Sequence, residues 1–357
     1  MDNKHKERKS SPTMHEIARL AGVSQSTVSR VLNGNTAVAP EKYTAVMEVV
    51  ERLNYRPNVA AQGLAQGKTL GIGVLTRMFG SPFYGELLRG IGDGLRGSFY
   101  YPVISMGGDL GNEDYVALDM LLSRRVDALI ILYSTHLTDA YMHEIAQHTP
   151  LIVVGRQVPG LEPYCVYLNN QAGAYTATSY LISKGHSRIA HITGSLYAVD
   201  GIARRDGYIQ ALTDYGIEVD PDLIVEGDFG ETSGILGVDS LLSKRNSHPF
   251  TAIFVGNDQS ALGARLALYQ RQIEVPGDIS LMGFDDVGGA QYMTPPLTTI
   301  RQPLYYMGLM AAKLAIAAIV GDNFPLPEFP LELVVRQSVA IVGKGHSAGE
   351  ISRVPTI

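Results

Sequence analysis

The stretch TMHEIARLAGVSQSTVSRVLN, residues 13–33, has the pattern of two short helices joined by a tight turn. Thr13 followed three residues later by Glu16 is a capping box, which predicts that a helix begins there. Gly22 supplies the left-handed backbone that a tight turn needs, and Ser24 can cap the helix that follows. The stretch therefore predicts a helix-turn-helix.

The second of these helices is expected to be amphipathic. Val28, Val31 and Leu32 recur at the spacing of one helical face and should pack in a core. The opposite face carries hydrogen-bonding side chains, namely Gln25, Ser26, Ser29, Arg30 and Asn33. A short helix of this kind suits the major groove of DNA, although a small three-helix domain that binds protein has the same pattern.

The head is predicted to cover residues 13–57. The rest of its core is expected to come from the first helix and from a third helix that begins at Pro40. The first helix is expected to contribute Ile17, Leu20 and Ala21. The third helix is expected to contribute Tyr43, Val46, Met47, Val50 and Leu53.

Charge is distributed unevenly along the 357 residues. Residues 1–68 hold ten Lys/Arg and six Asp/Glu, a net charge of +4, so the remainder must carry −10 to give the total of −6. A basic head on an acidic body fits a head that meets phosphates while the body stays away from them. Residues 1–12 are expected to be a basic disordered tail without a secretory signal.

Cysteine usage and hydropathy indicate the compartment. A single cysteine, Cys165, excludes an internal disulfide framework and favours a reducing bacterial cytoplasm. No apolar run reaches the roughly 18 residues that a membrane-spanning helix needs, so no contact with a membrane is expected. Residues 343–357 are expected to be a flexible tail. Because this tail lacks leucine heptads, a four-chain coiled coil is not expected.

From about residue 69 to residue 342, short apolar runs alternate with helical stretches. The runs predicted to be buried strands are 69–75, 103–106, 126–132, 151–155, 188–193, 223–226, 251–256 and 279–284. Continuous apolar strands separated by helices predict parallel sheets covered on both faces, here in two doubly wound lobes. The predicted fold is thus an all-α head followed by an α/β body.

The quoted stretch, continued by VAPEKYTAVMEVVERLNYRPNVAAQGLAQGKT over residues 38–69, resembles the LacI/GalR family of bacterial repressors. In that family AGVS-x-x-TVSRVLN is a specific signature, and the similarity continues through nearly the whole chain. The resemblance implies that Gln25 and Ser26 read base edges, with Arg30 close behind. The residues it places near the DNA backbone, or in holding the head in register, are Thr13, Ser24, Thr27, Ser29, Asn33 and Tyr55.

The resemblance also implies a hinge helix over residues 58–68, which folds on DNA and pairs with its dimer mate. Asn58 can cap this segment, and Leu64 stands where the family pushes a leucine into the minor groove to kink the duplex. Gly63 departs from the pattern, since a helix former is expected there. Either the hinge orders less readily, or Gly63 permits a close approach of the paired helices.

For the body, the resemblance implies two similar lobes, like those of a periplasmic sugar-binding protein. The three crossovers between the lobes are expected near Asn169, Arg301 and Leu331. The N-terminal lobe would comprise about 69–168 and 302–330, and the C-terminal lobe about 169–301 and 331–342. A small effector, expected to be a sugar, would bind in the cleft at the carboxyl ends of the strands.

Four residues fall on effector-binding positions of the family: Arg204, Phe229, Asn257 and Asp285. A guanidinium can hold two neighbouring hydroxyls, a carboxylate or an amide can bind others, and a ring can cover the apolar face of a sugar. Each has an ordinary alternative, because Phe229 could be a core side chain and Asp285 could cap a turn. Asp258 is expected to cap the next helix.

Weaker candidates are Phe79, Ser81, Pro82 and Phe83, in the loop after the first strand of the body, and Gln302, at the last crossover. Leu132 and Gly155 stand where some sugar-binding members of the family carry polar ligands, which leaves the particular sugar open. Tyr133 and Arg156 are candidates to compensate.

Motifs of enzymes are missing from the sequence. It contains no P-loop, no complete dinucleotide loop and no G-x-S-x-G elbow, and its nine His lack metal-ligand spacing. Asp285 and Asp286, as neighbours on a strand, would point to opposite faces and make a poor catalytic pair. We therefore expect no catalysis, no metal and no cofactor.

Two functions remain. The favoured one is a ligand-responsive transcriptional repressor of carbohydrate-utilisation genes, which binds palindromic operator DNA as a homodimer and is released by a sugar. The alternative is a sugar-binding receptor or sugar-acting enzyme with an unrelated helical N-terminal extension. The hinge segment favours the repressor. Whether the effector induces or corepresses stays open.

Overall fold

The computed structural model describes residues 12–32, 38–55, 68–108 and 112–342. The chain divides into two compact units between Leu70 and Gly71. Several sequence predictions lie outside the described residues, namely those for Asn33, Asn58, Gly63 and Leu64 and those for the tails 1–11 and 343–357.

The described part of the first unit, the head, is a three-helix core. Its helices are α1 (Met14–Leu20), α2 (Gln25–Leu32) and α3 (Pro40–Arg52). The Glu16 amide N–H donates to Thr13 Oγ1 at the start of α1, and Gly22 has a φ of 65° in the turn before α2, as predicted. The side chains buried between the three helices are Ile17, Ala18, Val28, Val31, Val46 and Val49.

Two side chains predicted for the head core are exposed. The buried face of α1 is centred on Ile17 and Ala18, so Leu20 lies at its flank and is 38% exposed. Tyr43 lies in the first turn of α3, before the buried pair Val46 and Val49, and is 45% exposed. The periodicity was predicted correctly, but the centre of each buried face was not.

The second unit, the body, contains two parallel sheets. In the first sheet the strand order is β2-β1-β3-β4-β5. Its strands are β1 (Gly71–Thr76), β2 (Tyr101–Met106), β3 (Ala128–Leu132), β4 (Leu151–Val154) and β5 (Cys165–Val166). The helices between these strands are α4 (Pro82–Gly94), α5 (Glu113–Ser123) and α6 (Asp139–Ala146).

In the second sheet the strand order is β7-β6-β8-β9. Its strands are β6 (Ile189–Ile192), β7 (Ile224–Val225), β8 (Ala252–Val255) and β9 (Ser280–Met282). The helices of this half are α7 (Asn170–Ser183), α8 (Val199–Asp214), α9 (Glu231–Ser243) and α10 (Asp258–Gln270). The alternation of strands and helices agrees with the predicted α/β body.

The chain then returns to the first sheet. After β10 (Thr299–Arg301) it enters α11 (Leu304–Val320), whose buried Leu304, Met307 and Ala311 share a core with the first sheet. It crosses back to form β11 (Glu332–Val334), which pairs antiparallel with β10. The first sheet is therefore completed by a helix that lies more than a hundred residues later in the chain than its last strand.

Glycines bring α11 and α4 into close contact. A Cβ on Gly90 would lie 2.0 Å from the Tyr305 carbonyl oxygen, and a Cβ on Gly308 would lie 2.1 Å from the Leu87 carbonyl oxygen. Because no real Cβ tolerates such distances, only glycine permits this helix crossing.

The last strand of the second sheet is shorter than predicted. It ends at Met282, and the chain turns at Asp285 and Asp286, whose φ angles are 115° and 56°. These two residues are therefore not strand neighbours, as we expected, but belong to a tight loop with left-handed backbone. Within the described part of the chain, no helix is both long enough and apolar enough to cross a bilayer.

Candidate functional site

The head exposes a row of polar side chains on α2. Gln25, Ser26 and Arg30 are exposed, while Val28 and Val31 on the same helix are buried. This is the amphipathic arrangement that the sequence predicted. A groove of DNA could contact the exposed side chains without disturbing the core.

Ser24 holds the start of α2, as predicted. Its Oγ accepts a hydrogen bond from the Thr27 amide N–H at 3.2 Å and lies 2.8 Å from Ser26 Oγ and 2.9 Å from Thr27 Oγ1. Ser29 is half-buried, and Tyr55 packs against the head core. The hydroxyl groups of residues 24, 26 and 27 thus form one network at the N-terminus of the candidate reading helix.

The body contains a cleft of about 500 Å³. Residues that follow strands of both sheets line it. The predicted effector residues on its walls are Ser81, Phe83, Arg204, Phe229, Asn257 and Asp285. A cleft of this volume accommodates a small organic molecule.

Three predicted residues do not line the cleft, namely Phe79, Pro82 and Gln302. Pro82 is the first residue of α4, and the neighbouring Ser81 and Phe83 line the cleft instead. Phe79 is 55% exposed and lies outside the cleft. From the loop between β1 and α4, Met78 and Ser81 line the cleft. Gln302 is buried behind the wall, where its Nε2 donates to Asp285 Oδ1 at 2.6 Å. Gln302 therefore positions a wall residue.

Arg204 is the centre of the cleft wall and is 1% exposed. Its Nε donates to Asn170 Oδ1 at 3.0 Å, and its Nη1 donates to the Gly256 carbonyl at 2.6 Å. The guanidinium also stacks on the Phe284 ring, 3.9 Å from the centroid. A buried guanidinium held on three sides is fixed in orientation before any ligand arrives.

Two carboxylates flank this guanidinium. Asp285 Oδ1 lies 3.4 Å from Arg204 Nη1, and Asp200 Oδ2 lies 3.9 Å from Nη2. Burial raises the pKa of Asp285, while the charge of Arg204 and the hydrogen bond from Gln302 act against the rise. Together these groups offer adjacent donors and acceptors, which is the chemistry that binds vicinal hydroxyls.

Phe229 presents a flat ring beside this polar group. Its φ is 72°, a conformation uncommon for a residue with a side chain, and its carbonyl accepts a hydrogen bond from Asn257 Nδ2 at 3.0 Å. The ring centroid lies 5.5 Å from Arg204 Cζ, and the ring packs where a Cβ on Gly194 would otherwise be. The backbone is thus held in a strained conformation that brings an aromatic ring to the cleft.

Asn257, and not Asp258, caps α10. Asn257 Oδ1 accepts from the Ser260 amide N–H at 3.0 Å. The expectation for Asp258 was wrong, because its buried carboxylate accepts from Thr299 Oγ1 at 2.6 Å and from the Val287 amide at 3.0 Å. Burial raises the pKa of Asp258, and the nearby charge of Asp285 raises it further.

Tyr133 and Arg156 take different positions near the cleft. Tyr133 lines it, and a Cβ on Gly155 would lie only 2.5 Å from the Tyr133 ring, which explains the glycine there. Arg156 lines an adjoining recess of about 100 Å³, where its Nη1 donates to Asp139 Oδ1 at 2.6 Å. Only Tyr133 therefore reaches the main cleft.

The comparisons with known proteins agree with this architecture. Residues 13–58 match the model for bacterial regulatory proteins of the lacI family, and residues 178–339 match the periplasmic binding protein-like domain. The chain is 35% identical over 333 residues to the HTH-type transcriptional regulator GalR of Escherichia coli, which covers 92% of this chain and 96% of that protein. This chain belongs to the LacI family.

Further relatives of this LacI-family protein include the ribose operon repressor of Haemophilus influenzae, 36% identical over 92% of this chain and 98% of the relative. Among solved structures, a lac repressor dimer bound to operator and the anti-inducer ONPF matches with a TM-score of 0.81 and 29% identity, covering 92% of this chain and 99% of that one. A CelR–cellobiose complex matches with a TM-score of 0.69 and 31% identity, over 92% and 99%. These relatives are transcriptional regulators, which confirms that the chain is a regulator and not an enzyme.

Three neighbours of Arg204 in this LacI-family protein, Asp200, Asn170 and Phe284, were not predicted from the sequence. Asp200 had a detectable signal, since it precedes Arg204 by four residues on one helix. Asn170 and Phe284 had none, because they lie 34 and 80 residues away in the chain and meet Arg204 only in the folded body.

One cluster of metal-ligand type was also unexpected. Asp220, Asp222 and His248 place ligand atoms within 4.8 Å of one another. Arg188 donates to Asp220 at 2.6 Å and Lys244 donates to Asp222 at 2.8 Å, and the hydrogen bond from Lys244 lowers the pKa of Asp222. Cations of the chain itself already pair with these carboxylates, so the cluster is an ion-pair network.

Proposed function

We propose that this LacI-family regulator represses transcription by binding a palindromic operator as a homodimer, and that a saccharide in the body cleft releases it. The observation that carries the proposal is the buried array around Arg204, with Asp285 on one side and the Phe229 ring on the other. Fixed donors, fixed acceptors and an aromatic face together are the means by which proteins bind sugars. Similarity to GalR and to the ribose operon repressor supports the same effector class.

At the DNA, the exposed side chains of α2 would perform the recognition. Gln25 and Ser26 would contact base edges, with Arg30 beside them. The backbone and register contacts would come from Thr13, Ser24, Thr27, Ser29, Asn33 and Tyr55. In the hinge, proposed for residues 58–68, Asn58 would cap a helix and Leu64 would enter the minor groove.

The cleft and the head would be coupled through the dimer. Each of the two lobes of the body would contact its copy in the partner protomer, which sets two heads one helical turn or so apart. A ligand that favours one arrangement of the lobes changes that spacing, and operator affinity falls by the coupling free energy, typically about 1–3 kcal/mol. Such a regulator would act in the bacterial cytoplasm, where the operator is.

The test begins with selection of a duplex from a random pool by the purified full chain. We expect a palindromic sequence, bound with an affinity that falls steeply as salt rises. Saccharides that raise the melting temperature of the body should then weaken binding to the selected duplex. If no duplex is enriched, or if a stabilising saccharide leaves operator affinity unchanged, the proposed function is wrong.

A further inference from the structure

The chain crosses between the two lobes of the body at three places. Each lobe is one sheet with its helices, and the crossovers lead from β5 into α7, from β10 into α11 and from α11 into β11. Within the described part of the body, the chain connects the lobes nowhere else. A change in the arrangement of the lobes must therefore change the backbone of these three segments.

The left-handed loop after β9, which contains Asp285 and Asp286, is bonded to the second crossover. The Asp285 amide donates to the Ile300 carbonyl at 2.7 Å, and the Asp285 carbonyl accepts from the Gln302 amide at 3.1 Å. Gln302 Nε2 also donates to Asp285 Oδ1 at 2.6 Å. Both the backbone and the side chain of Asp285 thus hold this crossover.

The first crossover reaches the same carboxylate through Arg204. Arg204 Nε donates at 3.0 Å to Oδ1 of Asn170, the first residue of α7, and Arg204 Nη1 lies 3.4 Å from Asp285 Oδ1. All three residues are buried. Because Arg204 and Asp285 line the cleft, a ligand there would contact the groups that bond two of the three crossovers.

Asp286 joins the second crossover to the segment that follows the third. Its Oδ2 accepts from Arg301 Nε at 2.8 Å, and its Oδ1 accepts from Arg336 Nη2 at 2.6 Å. Arg301 Nη1 donates in turn to Oε2 of Glu332 in β11 at 2.8 Å. The Asp286 side chain is buried but lies outside the cleft. Its carboxylate therefore bonds the crossovers without contacting a ligand in the cleft.

The negative charge of Asp286 is what lets one side chain hold both arginines. Hydrogen bonds between a guanidinium and a carboxylate are roughly twice as strong as those between neutral groups. An asparagine here would have the same shape and tolerates left-handed backbone. Its amide oxygen could accept from one arginine, but its NH₂ group would face the donors of the other. Asp286→Asn therefore weakens the contact with the crossovers while it keeps the loop.

We propose that Asp286 is a positioning residue for the effector response. It holds the crossovers against the loop that carries Asp285, so that binding of the effector at Asp285 changes the arrangement of the lobes and not the loop alone. The proposal rests on the proposed function, since it requires an effector that changes operator affinity. Because Asp286 lies outside both the cleft and the head, its loss should act on the coupling between the two sites.

The experiment compares the operator affinity of the full chain with and without a saccharide. The operator is the duplex selected by the parent chain, and the saccharide is whichever of galactose, ribose and cellobiose raises its melting temperature most. The ratio of the two affinities is typically about 5- to 150-fold in a coupled protein. In Asp286→Asn this ratio should fall about threefold or more. Calorimetry should show that the variant still binds the saccharide, because Arg204 and Asp285 are intact.

Asp220→Asn is the matched control. Asp220 Oδ2 likewise accepts from Arg188 Nη2 at 2.6 Å and lies 2.8 Å from His248 Nδ1, but all three residues belong to the second lobe. This variant should lose stability in urea unfolding and keep the ratio of the parent chain. If Asp286 had only a structural role, both variants would lose stability and both would keep the ratio.

Arg301→Gln tests whether Asp286 acts through the crossovers. The Arg301 side chain is 44% exposed, so the variant should fold. It should lower the ratio as Asp286→Asn does, and the double variant should lose little more than either single variant. Additive losses, or an unchanged ratio in Asp286→Asn, would overturn the proposal and leave the proposed function intact. If no saccharide changes the operator affinity of the parent chain, the proposed function fails, and the proposal with it.

Discussion

The head and the body place their candidate functional side chains in opposite environments. On α2, Gln25, Ser26 and Arg30 are exposed, and the core of the head lies on the other side of the helix. In the cleft, Arg204 and Asp285 are 1% and 3% exposed and are bonded to other parts of the body. DNA recognition can therefore change without a cost in folding, whereas a change of effector specificity affects the body that must fold around it.

The largest effect is expected for Arg204→Ala. The variant leaves the Asp285 carboxylate buried without its cation, and removing one partner of a buried ion pair costs about 3–5 kcal/mol. Urea unfolding of the body measures the loss. Arg205→Ala is the matched control, because Arg205 is partly exposed and pairs with its neighbour Asp206. Effector response should vanish while operator binding survives in the folded fraction. Equal stability of the two variants would contradict the structural role of Arg204.

The second prediction concerns the pH dependence of the unfolding free energy, which depends on the buried His191 of the body. Burial lowers the pKa of His191 to about 4, between the rings of Tyr208 and Phe254. The imidazole of His191 therefore binds a proton less readily in the folded chain than in the unfolded chain. The unfolding free energy is highest above about pH 6.5 and decreases as the pH falls toward 4. The loss is about 3 kcal/mol at most, at 1.36 kcal/mol per pKa unit.

The measurement is the unfolding free energy of the parent and of His191→Gln over that pH range. The slope should flatten in the variant. A part of it should remain, because burial also lowers the pKa of His186. Identical slopes would mean that His191 keeps an ordinary pKa in the folded chain.

On the exposed side of the comparison, Gln25→Ala should weaken operator binding by about 1–3 kcal/mol, the range for losing one good contact with a base. Its unfolding free energy should stay within about 0.5 kcal/mol of the parent, since the side chain is exposed. Fluorescence anisotropy with operator and with a scrambled duplex separates specific from non-specific loss. Glu48→Ala, exposed on α3, is the control. If Gln25→Ala lowered the unfolding free energy by more than this, the side chain would contribute to folding, and the contrast between the exposed residues of the head and the buried residues of the cleft would be wrong.

The smallest effect is expected for Ser24→Ala, which removes the cap of α2 and should destabilise that helix by about 1 kcal/mol. Ser24→Asn keeps a capping oxygen and should restore most of the loss. Amide hydrogen exchange across α2 measures these changes in the stability of the helix. Unchanged exchange in Ser24→Ala would show that the hydroxyl network does not hold the helix.

The head and the body also differ in how many of their features could be predicted from the sequence. Local signals predicted the helices of the head, the turn at Gly22 and the cap at Ser24, because each depends on residues within one or two turns of the chain. The parallel strands of the body followed from their apolar runs. The prediction that residues 103–106 form a buried strand was wrong, because β2 is an edge strand whose Ile104 and Met106 are exposed. Which residues surround Arg204 depends on the packing of distant segments, and no local pattern encodes it.

The errors have the same origin. Asn257 and Asp258 are both good helix caps, and the hydrogen bonds from Thr299 and from the Val287 amide hold the Asp258 carboxylate in the interior. Phe79 and Ser81 share one loop, and the start of α4 decides which of them enters the cleft. Tertiary contacts select among local options that the sequence leaves equal.

The late position of α11 has a consequence for biosynthesis. A ribosome that has delivered β1 to β5 has made the first sheet but not Leu304, Met307 and Ala311, which cover it. Until translation passes that helix, this face of the sheet is covered only in part, by Leu87 and Ile91 of α4, while the three helices of the head are already made. The nascent chain thus completes the helices of the head before it completes the core of the body.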